Sequence, residues 1–391
     1  MDRTRILISG GGTAGLTLAI ALKQHGFEPV VIERENALRP AGFMMDFFGT
    51  GWDVADRLGL IDRLCTITYP IEALAVVDPS GAPYLEVPVD RLRDALARRY
   101  LYLRRQDLEH ILAERACELG VEVRHRTLLH SLTEQANGVR ATFANGKNDD
   151  FALVIGADGV HSRVRMLMFG PQRQYERFLG LHVAAFHVER GAHPLGSACK
   201  LYEESDRSAF FYPIDDQRLD ATYVFRDDER HLGAGHNISV LRSHYRGAGW
   251  IAEEVLHAVR PDDPLYFEGA TQIIMPHWHR GRVALIGDAC GCLTLPARDG
   301  SHMAMAGAFV LARELARHSN HEDAFRAYQD FLKPHVDRRQ RDAARLSRHF
   351  VPSKRSNPWL RRLVMRLLFS NFGLRTLVKQ IGAQSVLAGQ G

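Results

Sequence analysis

Three glycines, Gly10, Gly12 and Gly15, have the spacing with the clearest chemical meaning in this 391-residue chain. They follow the apolar run Ile6, Leu7 and Ile8, which suits a buried parallel strand, and they open an apolar helical pattern over residues 13–25. In that setting the first glycine permits a tight turn. The second lets backbone approach a pyrophosphate, and the third lets helix pack close to strand. The amides of Thr13, Ala14 and Gly15 then face the phosphates from a helix N-terminus, where the helix dipole favours negative charge. Gly26 ends the helix, and Glu33 closes the next apolar run, where a ribose needs a hydrogen-bond acceptor. A carboxylate there suits free ribose hydroxyls and disfavours a 2′-phosphate. Arg34 beside it is a second candidate contact and tempers that exclusion.

Two later stretches carry a related signal. Val154-Ile-Gly-Ala-Asp158-Gly159 runs into Ser162, Arg163 and Arg165, and an apolar run from Arg282 ends in Gly287-Asp288-Ala289 before a loop and a helical pattern over 303–315. One such segment alone would carry little weight. Three of them, in this order and at these separations, point to FAD.

The elements that must position these residues read as an α/β fold. Helical patterns lie at about 52–64 and 105–119, and short strands at about 121–124, 138–143 and 152–155. Residues 178–275 change character. They read as strands and turns rich in aromatics (Phe210, Phe211, Tyr212, Tyr223 and Phe225), with one helix near 238–259. The expectation is a Rossmann-like FAD-binding domain with a parallel sheet, built from residues 1–70, 100–177 and 276–345. It is interleaved with a β-sheet-rich substrate domain over 71–99 and 178–275. Residues 346–391 form a C-terminal basic helical segment. No Asp or Glu follows Asp342, while Lys354, Arg355, Arg361, Arg362, Arg366, Arg375 and Lys379 do. Leu360, Leu363, Val364, Leu367 and Leu368 form an apolar stripe at helical spacing, expected to pack on the parent protein with the cations facing water.

Composition narrows the function classes. A net charge of +4, dispersed along the chain, does not argue for nucleic acid. No apolar stretch has the length of a membrane span and no signal peptide is expected, so stable membrane binding is disfavoured and a cytoplasmic location is expected. The five cysteines are odd in number and scattered, as in reduced thiols. The Cys290–Cys292 spacing fits neither a zinc site nor a redox pair, so no metal is expected.

On these motifs the chain resembles the single-component, class A FAD-dependent monooxygenases of the aromatic-hydroxylase superfamily, and is most similar to the short, tetracycline-inactivating type. The resemblance covers about residues 5–345. It implies that Arg105 of Arg105-Gln106-Asp107-Leu108 reaches the flavin chain, that Asp158 and Arg165 lie near the pyrophosphate, and that Asp288, after Gly287, contacts the ribityl chain. It further implies that the loop Gly42–Asp46, with Asp46, passes beside the isoalloxazine, and that the helix-start amides at Gly300 and Ser301 lie near its pyrimidine edge. The activity implied is reduction of FAD by NADPH or NADH, which visits transiently, followed by oxygenation of a bulky aromatic or polyketide-like small molecule through a flavin C4a-hydroperoxide.

One stretch departs from the family. Arg298-Asp299-Gly300 stands where Gly-Gln-Gly is usual, and a histidine expected after the Gly-Asp pair is absent at Ala289-Cys290-Gly291. Arg298 could add positive charge beside the ring, and His302 is the histidine nearest by position, ahead of His182 and His187. These two, His302 and Arg298, are the catalytic candidates. Two other readings stay open: a non-redox cyclase or isomerase that uses FAD as scaffold, and a flavin-dependent reductase of the same fold. Oligomeric state is not legible.

Overall fold

The computed structural model describes residues 4–36, 43–189, 195–229, 237–260, 262–294, 299–353, 357–370, 373 and 385–388. Arg298, Gly42, Lys354, Arg355, Arg375 and Lys379 lie outside the described residues.

The strand Arg5–Ser9 sits at the centre of a parallel sheet. Leu153–Gly156 and then Val283–Leu285 flank it on one side, Glu28–Ile32 and then Glu122–Arg124 on the other. A short antiparallel strand, His279–Arg280, completes the edge. Ile6, Leu7 and Ile8 are all fully buried, as expected of a strand covered on both faces. The helix Thr13–Gln24 buries every residue from Thr13 to Leu22, because the helices Arg105–Glu118 and Gly300–Arg317 pack against it from outside.

The second sheet runs in the order Tyr266–Ile273, Glu176–Glu189, Arg218–Arg226, Arg207–Pro213, Ala198–Glu204, Ala73–Val77 and Pro83–Pro88. All neighbours are antiparallel except Ala198–Glu204 with Ala73–Val77. Alternation assigns its faces. Phe211, Tyr223 and Phe186 enter a core closed by the helices Asn237–His244 and Glu254–Ala258. Phe210, Tyr212 and Thr222 face the other way, toward the first sheet. The antiparallel pair Met44–Phe48 and Tyr100–Arg104 bridges the two layers. This mixed architecture agrees with the α/β expectation.

Three details differ from the sequence reading. The helix expected over 52–64 is two helices, Gly49–Arg57 and Ile61–Thr66, interrupted at Gly59. The helix expected near 238–259 is likewise two, because Gly247 and Gly249 break it. The C-terminal helix Pro358–Leu368 is inverted relative to expectation. Its arginines face the protein: Arg361 pairs with Glu203, Arg362 with Asp78 at 3.2 Å, and Arg366 donates to the Tyr84 carbonyl at 3.4 Å. Its apolar stripe is turned outward, with Trp359 70% and Leu367 61% exposed. Two carboxylates at the ends of adjacent internal strands, Glu203 and Asp78, decide the orientation, and no local pattern reveals them.

Candidate active site

The three glycine-containing segments end at the carboxyl ends of three adjacent parallel strands. Gly10 adopts φ +114°, and a Cβ there would lie 2.4 Å from the Ala157 carbonyl oxygen. A Cβ on Gly15 would lie 1.9 Å from the Gly10 carbonyl oxygen. These two glycines therefore serve close packing of backbone on backbone. Gly287 backs onto Ala14 and Ala304, where a Cβ would meet theirs at 3.0 and 3.4 Å. Gly12 differs: its added Cβ would meet only Glu109 Oε1, at 3.5 Å. It faces a cavity.

That cavity is continuous from the strand ends to the inner face of the second sheet. Of the residues singled out from sequence, Gly10, Gly12, Thr13, Ala14, Glu33, Arg34, Asp46, Arg105, Asp158, Asp288, Gly300 and Ser301 line it. Gly15 and Gly287 stand behind its wall. So does Arg165, which is fully buried; it donates to the Ala289 carbonyl at 2.8 Å and the Val160 carbonyl at 2.6 Å. Arg165 thus ties the Asp158 segment to the Asp288 segment from the rear, in place of the cofactor contact expected from its spacing.

The carboxylates on the nucleotide side are held by specific donors. Glu33 Oε2 accepts the Gly11 amide at 2.8 Å and Oε1 the Glu35 amide at 3.0 Å. Arg34, the exposed neighbour, pairs with Glu35 at 3.2 Å. Asp158 accepts from the Ser162 hydroxyl and from the Arg163 and Val164 amides at 2.8 and 3.0 Å, so it caps the helix Arg163–Phe169. Burial pushes its carboxyl up, and these hydrogen bonds pull it back. Arg105 donates from Nε to Glu109 Oε1 at 3.1 Å. The Glu109 carboxylate, and the Asp288 carboxylate in lesser measure, hold the Arg105 guanidinium above its ordinary range.

These features fit FAD. Gly12 leaves room beside the first-helix N-terminus, Arg105 supplies a cation, and Glu33 stands at the end of the second strand, where a ribose would meet it. Farther along, Asp46 accepts from Tyr100 Oη at 2.5 Å. The helix Gly300–Arg317 points its N-terminus into the cavity.

His302 is not at the cavity. It is 1% exposed, lies edge-on to Phe47 and Phe48 at 5.5 and 5.2 Å, and shares Nδ1 with Asp299 Oδ1 at 2.9 Å. Asp299 also pairs with Arg339 of the helix His321–Phe350. Asp299, one of the two residues that depart from the family pattern in this stretch, is therefore a buried clamp that fixes the start of the helix Gly300–Arg317. His302 anchors that clamp, and this corrects its placement as a cavity group.

The far half of the cavity is walled by Phe43, Met45, Val183, Phe210, Tyr212, Tyr266 and Phe350. Phe43 and Tyr266 contact each other with ring centroids 5.7 Å apart. Burial pushes the Tyr266 phenol up, so it keeps its proton near neutrality. The Thr222 hydroxyl on this wall has no hydrogen-bond partner among the described residues. One strand step beyond lies Asp220, fully buried, with both oxygens lacking a donor; it faces His187 Nδ1 at 3.4 Å across the strand pair. Sequence reasoning named neither Thr222 nor Asp220. It also missed Glu109, although the four-residue spacing from Arg105 is a readable helical pair.

The family model described as FAD binding domain matches residues 3–343. An uncharacterised Mycobacterium tuberculosis protein is 30% identical over 352 residues, covering 86% of this chain and 91% of its own. A flavin-dependent monooxygenase of Legionella longbeachae is 28% identical, covering 89% and 90%. Among solved structures, the tetracycline destructase Tet(55) superposes with a TM-score of 0.84 at 26% identity, covering 98% of each chain. The chain belongs to this FAD-binding family and, within it, to the single-component flavoprotein monooxygenases.

Proposed function

We propose that this enzyme uses NADPH or NADH and dioxygen to oxygenate a bulky aromatic or polyketide-like small molecule. The observation that carries the reading is the single cavity that joins the nucleotide cradle to the aromatic face of the second sheet. The destructase likeness favours a polycyclic substrate. When bound, FAD would supply two-electron chemistry between the nicotinamide and dioxygen, with one oxygen atom entering the product and the other leaving as water.

The protein's own part is positioning and exclusion of water. The backbone at Gly11–Ala14 and the Arg105 guanidinium take the pyrophosphate, Glu33 the adenosine ribose and Asp288 the ribityl chain. The amides at Gly300 and Ser301 lend the helix dipole to negative charge on the far ring. Phe43, Met45 and Tyr266 narrow the cavity where substrate meets flavin and keep water from the reacting atoms. Tyr266 Oη retains its proton and can donate it in a hydrogen bond to a substrate oxygen. Thr222 Oγ1 offers a second polar contact on the same wall. Arg298, outside the described residues, is left without a role.

The test is the visible spectrum of purified, FAD-supplemented and desalted protein, followed anaerobically as NADPH or NADH is added with and without a panel of polycyclic phenols. Faster bleaching of a retained flavin with one phenol, then oxygen uptake and a product heavier by one oxygen atom, is the expected result. A retained flavin that neither nicotinamide bleaches with any ligand would turn the assignment toward the non-redox scaffold.

A further inference from the structure

Glu109 is a carboxylate placed where the fold is built to receive phosphate. Its Oε1 accepts the Thr13 amide at 3.3 Å, the Thr13 hydroxyl at 3.0 Å and Arg105 Nε at 3.1 Å. The same oxygen is the atom that a side chain on Gly12 would meet. Gly12 is bare so that an anion can approach the backbone, the first-helix N-terminus attracts negative charge, and Arg105 is the cation of the nucleotide side. All three features converge on one side-chain oxygen. Glu109 is 7% exposed and lines the cavity, so it is neither a solvated surface acid nor a group walled off from the ligand.

We propose that Glu109 competes with the FAD pyrophosphate for the Thr13 and Arg105 donors, and so sets how tightly this chain holds its cofactor; the proposal rests on the cofactor placement given above. Two anions cannot share those donors without close like-charge contact. Binding of FAD therefore requires the Glu109 carboxylate to give up its hydrogen bonds or to stay beside the phosphates at an electrostatic cost. In either case the carboxylate weakens FAD binding while it stabilises the flavin-free chain, because it caps the helix and pairs with Arg105. A residue that merely orients Arg105 and Thr13 for the phosphates would have the opposite sign toward FAD.

The test uses full-length, flavin-stripped wild type, Glu109→Gln and Glu109→Ala, titrated with FAD and separately with riboflavin by quenching of flavin fluorescence. Both variants are expected to bind FAD more tightly, by about tenfold, the scale of one charge-assisted hydrogen bond. Riboflavin, which has no pyrophosphate, should bind all three proteins alike. Melting temperatures supply a second readout: without flavin the variants should melt below wild type, and with saturating FAD the difference should shrink or reverse. FAD binding that is unchanged or weaker in both variants overturns the proposal, and so does equal tightening of riboflavin. Wild-type protein that takes up no FAD overturns the cofactor placement and the proposal together.

Discussion

The two halves of the cavity are finished to different degrees. On the nucleotide side the carboxylates of Glu33, Asp158 and Glu109 each accept at least two hydrogen bonds from named protein donors. On the substrate side the cavity-lining Thr222 Oγ1, and behind that wall both Asp220 oxygens and both His187 ring nitrogens, have no hydrogen-bond partner among the described residues. A buried polar group without a partner costs about 1–3 kcal/mol. The nucleotide side has such atoms too, in Arg163 Nε and Arg165 Nε, but its carboxylates are satisfied, so the cost falls more heavily on and behind the substrate wall. The carboxylates of the nucleotide half are satisfied before the cofactor arrives, Glu109 by holding donors that the pyrophosphate would take. Of Thr222, Asp220 and His187 on the other side, Thr222 is the one that lines the cavity, where a polar group of a ligand can meet it.

The largest test of that contrast is a pair of glycine substitutions. Gly15→Ala puts a Cβ within 1.9 Å of a backbone carbonyl and forces helix from strand. Loss of about 3 kcal/mol or more, with loss of flavin retention, is expected from overpacking rigid backbone. Gly12→Ala meets only a carboxylate at 3.5 Å, so it should fold and yet hold FAD poorly. Melting temperature and flavin per chain after desalting separate the two effects. Equal melting losses would mean that the wall at Gly12 is as unyielding as that at Gly15, and the distinction between packing and ligand-facing glycines would fall.

Next in size is Asp299→Ala. It removes the common partner of His302 and Arg339 where Asp299 is only 3% exposed. Breaking such a buried network typically costs about 3 kcal/mol. A drop below 1 kcal/mol in urea unfolding would show that the clamp does not hold the helix Gly300–Arg317.

The same contrast explains what the sequence disclosed. The glycine fingerprint and Glu33 were legible because their roles depend on backbone spacing, which the chain carries locally. His302 was misplaced by helical phase. Ser301 and Ala304, three residues apart, share the face that lines the cavity, while His302 is turned by about 100° from Ser301 into the packing behind it. Arg165 had the right spacing, but its side chain runs to carbonyls at Val160 and Ala289, and Ala289 comes from a distant segment. The tail's amphipathic pattern was plain, but its facing depended on Asp78 and Glu203, far away in sequence. Asp220 and His187 meet as a cross-strand pair, and strand register is not written in either strand alone.

On the substrate side the expected effects are smaller and are read through pH. Burial, then the Arg104 cation, pushes His187 down to about 4 from its ordinary 6.5, with Asp107 opposing and Arg218 assisting. The unfolded chain therefore binds a proton between those values that the folded chain refuses, so stability rises with pH across that window. His187→Asn should flatten the rise between pH 5 and 7 by about 1–2 kcal/mol, after discounting for the quarter of the side chain that is exposed. An unaltered slope in urea midpoints would mean that His187 is solvated or charged in the folded protein.

Asp220 has the opposite sign and the smallest effect. Burial pushes its carboxyl well above the ordinary 3.8, with Arg104 pulling down and Asp107 pushing up. A raised folded value makes its contribution fully present below about 3.8 and lost as pH rises through the folded value. Near neutrality the acid therefore weakens the fold relative to an isosteric amide. Asp220→Asn should gain on the order of 1 kcal/mol at pH 8 and less at pH 5. This variant decides how the 3.4 Å contact with His187 is to be read. If the two were a charged pair, removing the anion would strand a buried cation and the variant would lose stability at pH 8. A gain that grows with pH instead means that burial holds the Asp220 proton to a higher pH in the folded chain than in the unfolded one, behind the wall that carries the Thr222 hydroxyl.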